Sequence, residues 1–189
     1  APAPREAVAV KPAERDERWV DARCNDGSPF AYRYRPGAPG ATTWVVNLAG
    51  GFFCDDQRAP CAERKPRLRT TLPAADGAPT SMKSEGIFSL APGTNPTFAT
   101  AHHVDAHYCS SDLWVGDRTD RQPNSADPEG WFFSGRRNVA VLFEALAELQ
   151  GLTDAPDTQV LLLGTSAGGM GVVGNLDRAM AALPATAAA

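Results

Sequence analysis

Apolar positions recur regularly enough in a few stretches of this chain to assign elements. Val139, Leu142, Phe143, Leu146 and Leu149 stand three and four residues apart, one stripe of a helix read from Gly130 to Gln150, with Gly151 placed to stop it. Beyond a turn through Asp154, Pro156 and Asp157, Gln159 leads into the continuously apolar Val160-Leu161-Leu162-Leu163, the pattern of a central parallel strand covered on both faces. A second helix is read from about Ala167 to Leu183. Upstream, apolar and polar residues alternate from Phe30 to Tyr34. A turn of Pro and Gly from Pro36 to Gly40 then precedes Thr42 to Leu48, which reads as a hairpin leading into a buried strand. His102 to Tyr108 alternates around Val104 and Ala106 as a further strand. Strand, helix, strand, helix in that order predicts an α/β fold whose parallel strands are joined by right-handed crossovers.

The remaining stretches lack such a period. Residues 1–18 are Ala, Pro and charge, which reads as a flexible lead-in, with the ordered domain running from Trp19 over residues 19–189. Residues 54–98 hold no sustained helical or strand pattern and many Pro, Gly and Thr. A connection of that length is uncommon unless it serves a site, so it is read as a long loop excursion beside one.

Composition narrows the class. With 43% hydrophobic and 21% charged residues the chain is typical of soluble globular proteins, and no apolar run reaches the length of a bilayer span. A net charge of −4 argues against a nucleic-acid partner, and the cluster Arg64, Lys65, Arg67, Arg69 reads as a solvated loop face. The first residues carry neither Met nor an apolar leader, as expected if a signal peptide has been removed. Cys54 and Cys61 enclose a short loop, with Cys24 and Cys109 far to either side. Four cysteines with one close pair suit two disulfides and suit zinc poorly, since no Cys-x-x-Cys is present. Disulfides imply a secreted or periplasmic protein.

The chemistry concentrates at Gly164-Thr165-Ser166-Ala167-Gly168, a G-x-S-x-G pattern between the apolar strand and the second helix. A strand-to-helix turn that tight exposes the serine, and the helix N-terminus behind it offers free N–H groups to a developing oxyanion. Ser166 is therefore the candidate nucleophile. Leu48-Ala49-Gly50-Gly51-Phe52-Phe53-Cys54 follows the Trp44 strand, where such enzymes place an oxyanion-hole donor. Gly51, Phe52 and Ala167 are the candidate donors.

These motifs, together with Cys24-Asn25-Asp26-Gly27-Ser28-Pro29, Tyr108-Cys109-Ser110-Ser111-Asp112-Leu113-Trp114 and Asn175-Leu176-Asp177, resemble in kind and order the pectin acetylesterase/Notum family of α/β-hydrolase carboxylesterases. The resemblance covers residues 19–183. It implies an α/β-hydrolase-type, mostly parallel sheet with helices on both faces, incomplete in this chain. It further implies Ser166 as nucleophile, an oxyanion hole of Gly51, Phe52 and Ala167, and disulfides Cys54–Cys61 and Cys24–Cys109. The expected reaction is hydrolysis of an acyl ester, either acetyl on a polysaccharide or a longer acyl group, with neither metal nor organic cofactor. Phe52 stands where the family commonly has Trp, and Ala49 where an acidic residue is common.

A triad in this fold runs Ser, then Asp or Glu, then His. After Ser166 the chain offers Asp177 as its one acid and no histidine, since His102, His103 and His107 all precede the serine. The expectation is a downstream polypeptide from the same precursor that supplies the triad Asp and His. The alternative is a binding protein that keeps the hydrolase fold without a complete triad.

Overall fold

Trp44, Val45, Val46 and Leu48 place four large apolar side chains in the six residues of β3 (Thr43–Leu48), and the sheet is built around that strand. The computed structural model, which describes residues 8–11, 16–72, 82–153 and 155–182, sets β3 between two parallel neighbours, β4 (His102–Ala106) and β7 (Gln159–Gly164). Beyond β4 lies β2 (Tyr32–Arg35), antiparallel to it, and beyond that β1 (Val8–Val10), antiparallel to β2. The order is thus β1-β2-β4-β3-β7. Asp105 of β4 fastens three of these strands, accepting from Arg33 of β2 at 2.9 Å and from Asn47 of β3 at 2.8 Å.

A long helix, α1 (Gly135–Gln150), follows β4, and α2 (Ala167–Ala181) follows β7. Val139, Leu142, Phe143 and Leu146 of α1 are fully buried in the main core with Trp19, Phe30, Tyr32 and Trp114, while Leu149 lies at its edge, 37% exposed. Gly151 ends α1 in the left-handed conformation. This mixed, mostly parallel sheet flanked by helices is the α/β-hydrolase arrangement, incomplete relative to a full domain of that kind. Among the described residues no helix is long and apolar enough to cross a membrane.

Four readings of the sequence are corrected. Phe30 to Leu48 is not a hairpin, because β4 intervenes between β2 and β3. The Pro36 to Gly40 turn instead docks on the approach to β4, with Ala38 N–H donating to the Thr100 carbonyl at 2.9 Å. The first residues assigned to the helix form a hairpin, β5 (Gln122–Asn124) with β6 (Asp127–Trp131), because Gly130 adopts a φ of 94° that no helix admits. Val8–Val10, inside the stretch read as a lead-in, adds a strand too short to show any alternation. Lastly, β7 is the edge of the sheet among the described residues rather than its centre, and Leu161 is 37% exposed there. Leu183 and the last residues of the chain lie outside the described residues, as do 73–81 of the long excursion. The rest of that excursion contains three short 3-10 turns, Cys61–Glu63, Pro66–Leu68 and Gly86–Phe88.

Candidate active site

In the parallel register Leu48 of β3 lies opposite Ala106 of β4 and Gly164 of β7. Three strands therefore end on one level, and the segments leaving them, Ala49 to Cys54, His107 to Trp114 and Thr165 to Ser166, meet there. Ser166 occupies the turn from β7 into α2 with φ 55° and ψ −125°, a conformation that costs a non-glycine residue about 1–3 kcal/mol. The side chain is exposed. Small neighbours make this turn possible. A Cβ on Gly168 would collide with the Leu48 carbonyl, and one on Gly50 would stand 2.7 Å from the Thr165 carbonyl and 3.3 Å from the Ser166 Cβ. The loop after β3 and the serine turn are thus in direct contact.

The loop has its carbonyls tied down. Trp114 Nε1 donates to the Ala49 carbonyl at 3.0 Å, and the Arg64 guanidinium donates to the Gly51 carbonyl. The N–H groups of Gly51, Phe52 and Ala167 donate no hydrogen bond among the described residues. Phe52 takes φ 63°, with its ring 61% exposed and 4.9 Å from that of Phe53. A cleft of about 410 Å³ opens beside these two rings, lined also by Arg58, Pro60, Arg64 and Leu68.

Beneath the loop lies the segment from Tyr108 to Trp114, strained at Ser111, Leu113 and Trp114, all with positive φ. Asp112 holds it in shape by accepting from Ser110 Oγ at 2.7 Å, Trp114 N–H at 3.0 Å and Gly135 N–H at 2.7 Å. Burial pushes the Asp112 carboxyl above the ordinary carboxylate range, and these donors oppose that shift. The Gly135 bond caps α1. Trp114 also reaches α2, where Asn175 Nδ2 donates to the Trp114 carbonyl at 2.8 Å. Disulfides join Cys24 to Cys109, at the start of this segment, and Cys54 to Cys61, which closes the loop after Phe53.

Gly50, next to Gly51 and Phe52 in the loop, thus lies against the turn that holds Ser166 and leads into Ala167, whereas the histidines make their contacts elsewhere. His102 stacks on Trp44 at 4.0 Å and shares a 2.7 Å hydrogen bond with Tyr34, four residues up β4 from the common level, or roughly 13 Å at strand rise. His103 is buried against Arg35, and His107 Nε2 lies 2.9 Å from the Thr70 carbonyl. Burial is the main cause that pushes both His103 and His107 down to about 4. Asp177 lies on α2 with its side chain exposed.

Sequence reasoning missed Arg64. It was grouped with Lys65, Arg67 and Arg69 as a solvated face, and Lys65 and Arg67 are indeed exposed, yet Arg64 is only 8% exposed. Pro66 opens a 3-10 turn two residues later, and the Arg64 side chain points inward against Tyr108 while those neighbours point out. Charge alone carries no signal for that. Trp114, Asn175 and Asp112 were quoted as motif residues without a role, because their partners lie far away in sequence.

Comparison with known proteins bears on the same residues. The family described as Pectinacetylesterase matches residues 9–189. Palmitoleoyl-protein carboxylesterase NOTUM of Drosophila melanogaster is 41% identical over 158 residues, covering 82% of this chain and 22% of the relative. The Homo sapiens protein of that name is 35% identical over 155 residues, covering 82% of this chain and 29% of its own length. The chain therefore spans between about a fifth and a third of these relatives. A solved structure of the Wnt deacylase Notum from Drosophila superposes with a TM-score of 0.76 at 35% identity, covering 92% of this chain and 47% of that one. The family match spans the β3 loop, the strained Tyr108 to Trp114 segment and the serine turn alike, and the chain belongs to the pectinacetylesterase family.

Proposed function

We propose that this chain carries the nucleophile and oxyanion hole of a serine carboxylesterase. The observation that carries the reading is the backbone of Ser166, held at φ 55° and ψ −125° against the Gly50 loop, since such strain persists only where the surroundings impose it. The Ser166 hydroxyl attacks the ester carbonyl and passes its proton to a histidine base. The carbonyl oxygen becomes an oxyanion that receives hydrogen bonds from the N–H groups of Gly51, Phe52 and Ala167. Collapse breaks the bond to the alcohol, which leaves with the proton returned by the histidine, and water then cleaves the acyl-serine.

The base and its orienting carboxylate come, in this reading, from a downstream segment of the same precursor. All three histidines of the chain are engaged elsewhere, β7 is an edge strand among the described residues, and the chain covers a minor part of its curated relatives. Met170, Val173, Leu176 and Met180 are exposed on α2, an apolar surface that such a segment would cover. The family and its similar members favour an ester of acetyl on a polysaccharide or of a longer acyl chain, and the two disulfides suit an oxidising compartment outside the cell or in a periplasm.

The test is made in the full-length polypeptide that contains this chain. A fluorophosphonate should label Ser166, and Ser166→Ala should lower hydrolysis of nitrophenyl esters by about 10⁴ or more. Turnover across a series of acyl lengths separates acetyl from fatty-acyl preference. Labelling at another serine, with full activity in Ser166→Ala, overturns the assignment.

A further inference from the structure

We propose that Arg64 is a positioning residue of the oxyanion hole, aiming and polarising the Phe52 N–H through the peptide that links Phe52 to Gly51. This rests on the esterase reading above. Arg64 lies buried, with its Nε donating to Ser111 Oγ at 2.9 Å and its Nη1 donating to the Gly51 carbonyl. No carboxylate pairs with it among the described residues, and one terminal nitrogen is buried without a hydrogen-bond partner. A buried, unpaired cation costs stability, so its retention here requires a gain elsewhere.

The geometry of the peptide supplies that gain. A trans peptide is planar, so its C=O and N–H point in opposite directions. Fixing the Gly51 carbonyl on the Arg64 side directs the Phe52 N–H the other way. A charged donor on the carbonyl oxygen also withdraws electrons from the amide and strengthens the opposite N–H as a donor, the cooperativity of linked hydrogen bonds. Ser111 holds the guanidinium in place, being fixed in turn by its 2.6 Å bond to Asn25. The peptide two before Gly51–Phe52, Ala49–Gly50, is held by its carbonyl as well, by Trp114. A neutral indole does so there, and the cation falls on a peptide whose N–H is a proposed oxyanion donor.

The test compares Arg64→Lys and Arg64→Met with wild type in the full-length polypeptide, counting competent sites by fluorophosphonate titration and checking fold by thermal melting. Because the oxyanion exists only after attack, kcat per titrated site should fall about 100-fold or more in Arg64→Met, as when an oxyanion donor is lost, with KM within about twofold. Arg64→Lys retains the charge without the fork, and its kcat should fall about tenfold. Added guanidinium ion should restore part of the turnover of Arg64→Met. A kcat per site within about twofold of wild type in Arg64→Met overturns the proposal, and if that variant does not fold the same criterion applied to Arg64→Lys decides. A purely structural role would lower the melting temperature and the number of competent sites while leaving kcat per site unchanged. Failure of the esterase reading itself is separate, since it appears as wild-type protein without Ser166-dependent turnover.

Discussion

His103 is built into the sheet as a neutral ring, and protonating it is the sharpest perturbation the fold offers. Its Nδ1 accepts from Arg35 Nη2 at 2.7 Å, and its Nε2 donates to the Phe98 carbonyl at 2.9 Å. A proton on Nδ1 would remove the acceptor and set two buried cations face to face. Burial first, and the Arg35 charge second, push the ring down to about 4 from an ordinary 6.5. Since the folded value lies below the unfolded one, the neutral ring contributes its full stability above 6.5, and that stability is lost as pH falls towards 4. Linkage over the window from about pH 7.5 to about pH 5 amounts to roughly 2 kcal/mol for this one ring. The measurement is urea unfolding of wild type and His103→Gln at both pH values. The glutamine amide can accept from Arg35 and donate to Phe98 without titrating. Carboxylates and the other histidines are common to both proteins and cancel, so the variant should lose about 2 kcal/mol less than wild type on acidification. Equal losses in the two proteins would refute the neutral-ring assignment.

Two further outcomes follow from the backbone and the cross-links. Ser166→Gly removes the positive-φ strain along with the hydroxyl, so it should raise stability by about 1 kcal/mol in thermal unfolding while abolishing ester turnover; a lower melting temperature would show that the turn is not strained. Cys24–Cys109 closes a separation of 85 residues and Cys54–Cys61 one of 7, so replacing each pair by alanine should cost about 4–5 and about 2 kcal/mol respectively in urea unfolding. The reverse order would count against loop-closure entropy as their main contribution.

The sequence by itself makes legible whatever a local pattern dictates. The stripe Val139, Leu142, Phe143, Leu146 specified α1, and the glycines and serine between an apolar strand and a helix specified the elbow. Pairing of strands was not legible from Phe30 to Leu48, because a Pro and Gly turn serves a hairpin and a crossover equally well, and the choice was made by Thr100, sixty residues downstream. The same holds within the site. Arg64 reads as one of four surface cations until the Ser111 hydroxyl and the Gly51 carbonyl, which are brought to it only by folding, are known.

The strained serine and the strained Tyr108 to Trp114 segment are coupled through one side chain. A Cβ on Gly171 of α2 would lie 2.7 Å from Trp114, so the indole and the helix that begins at Ser166 are in contact, and Asn175 adds a hydrogen bond one turn later. The same indole holds the Ala49 carbonyl, at the head of the loop that touches Ser166 through Gly50. Moving the loop away from the serine would therefore require Trp114 to leave α2, and Trp114 is in turn fixed by Asp112, which also caps α1. Loop, Ser166 turn and both helices thus share a single buried support, and a shift of the loop or of the turn without the other is opposed by packing as well as by hydrogen bonds. Preorganised donors accelerate a reaction only if they need not reorganise when charge develops. In the esterase reading proposed above, a histidine from a separate segment of chain would meet donors whose geometry relative to Ser166 is already held by Trp114, Asp112 and Asn175.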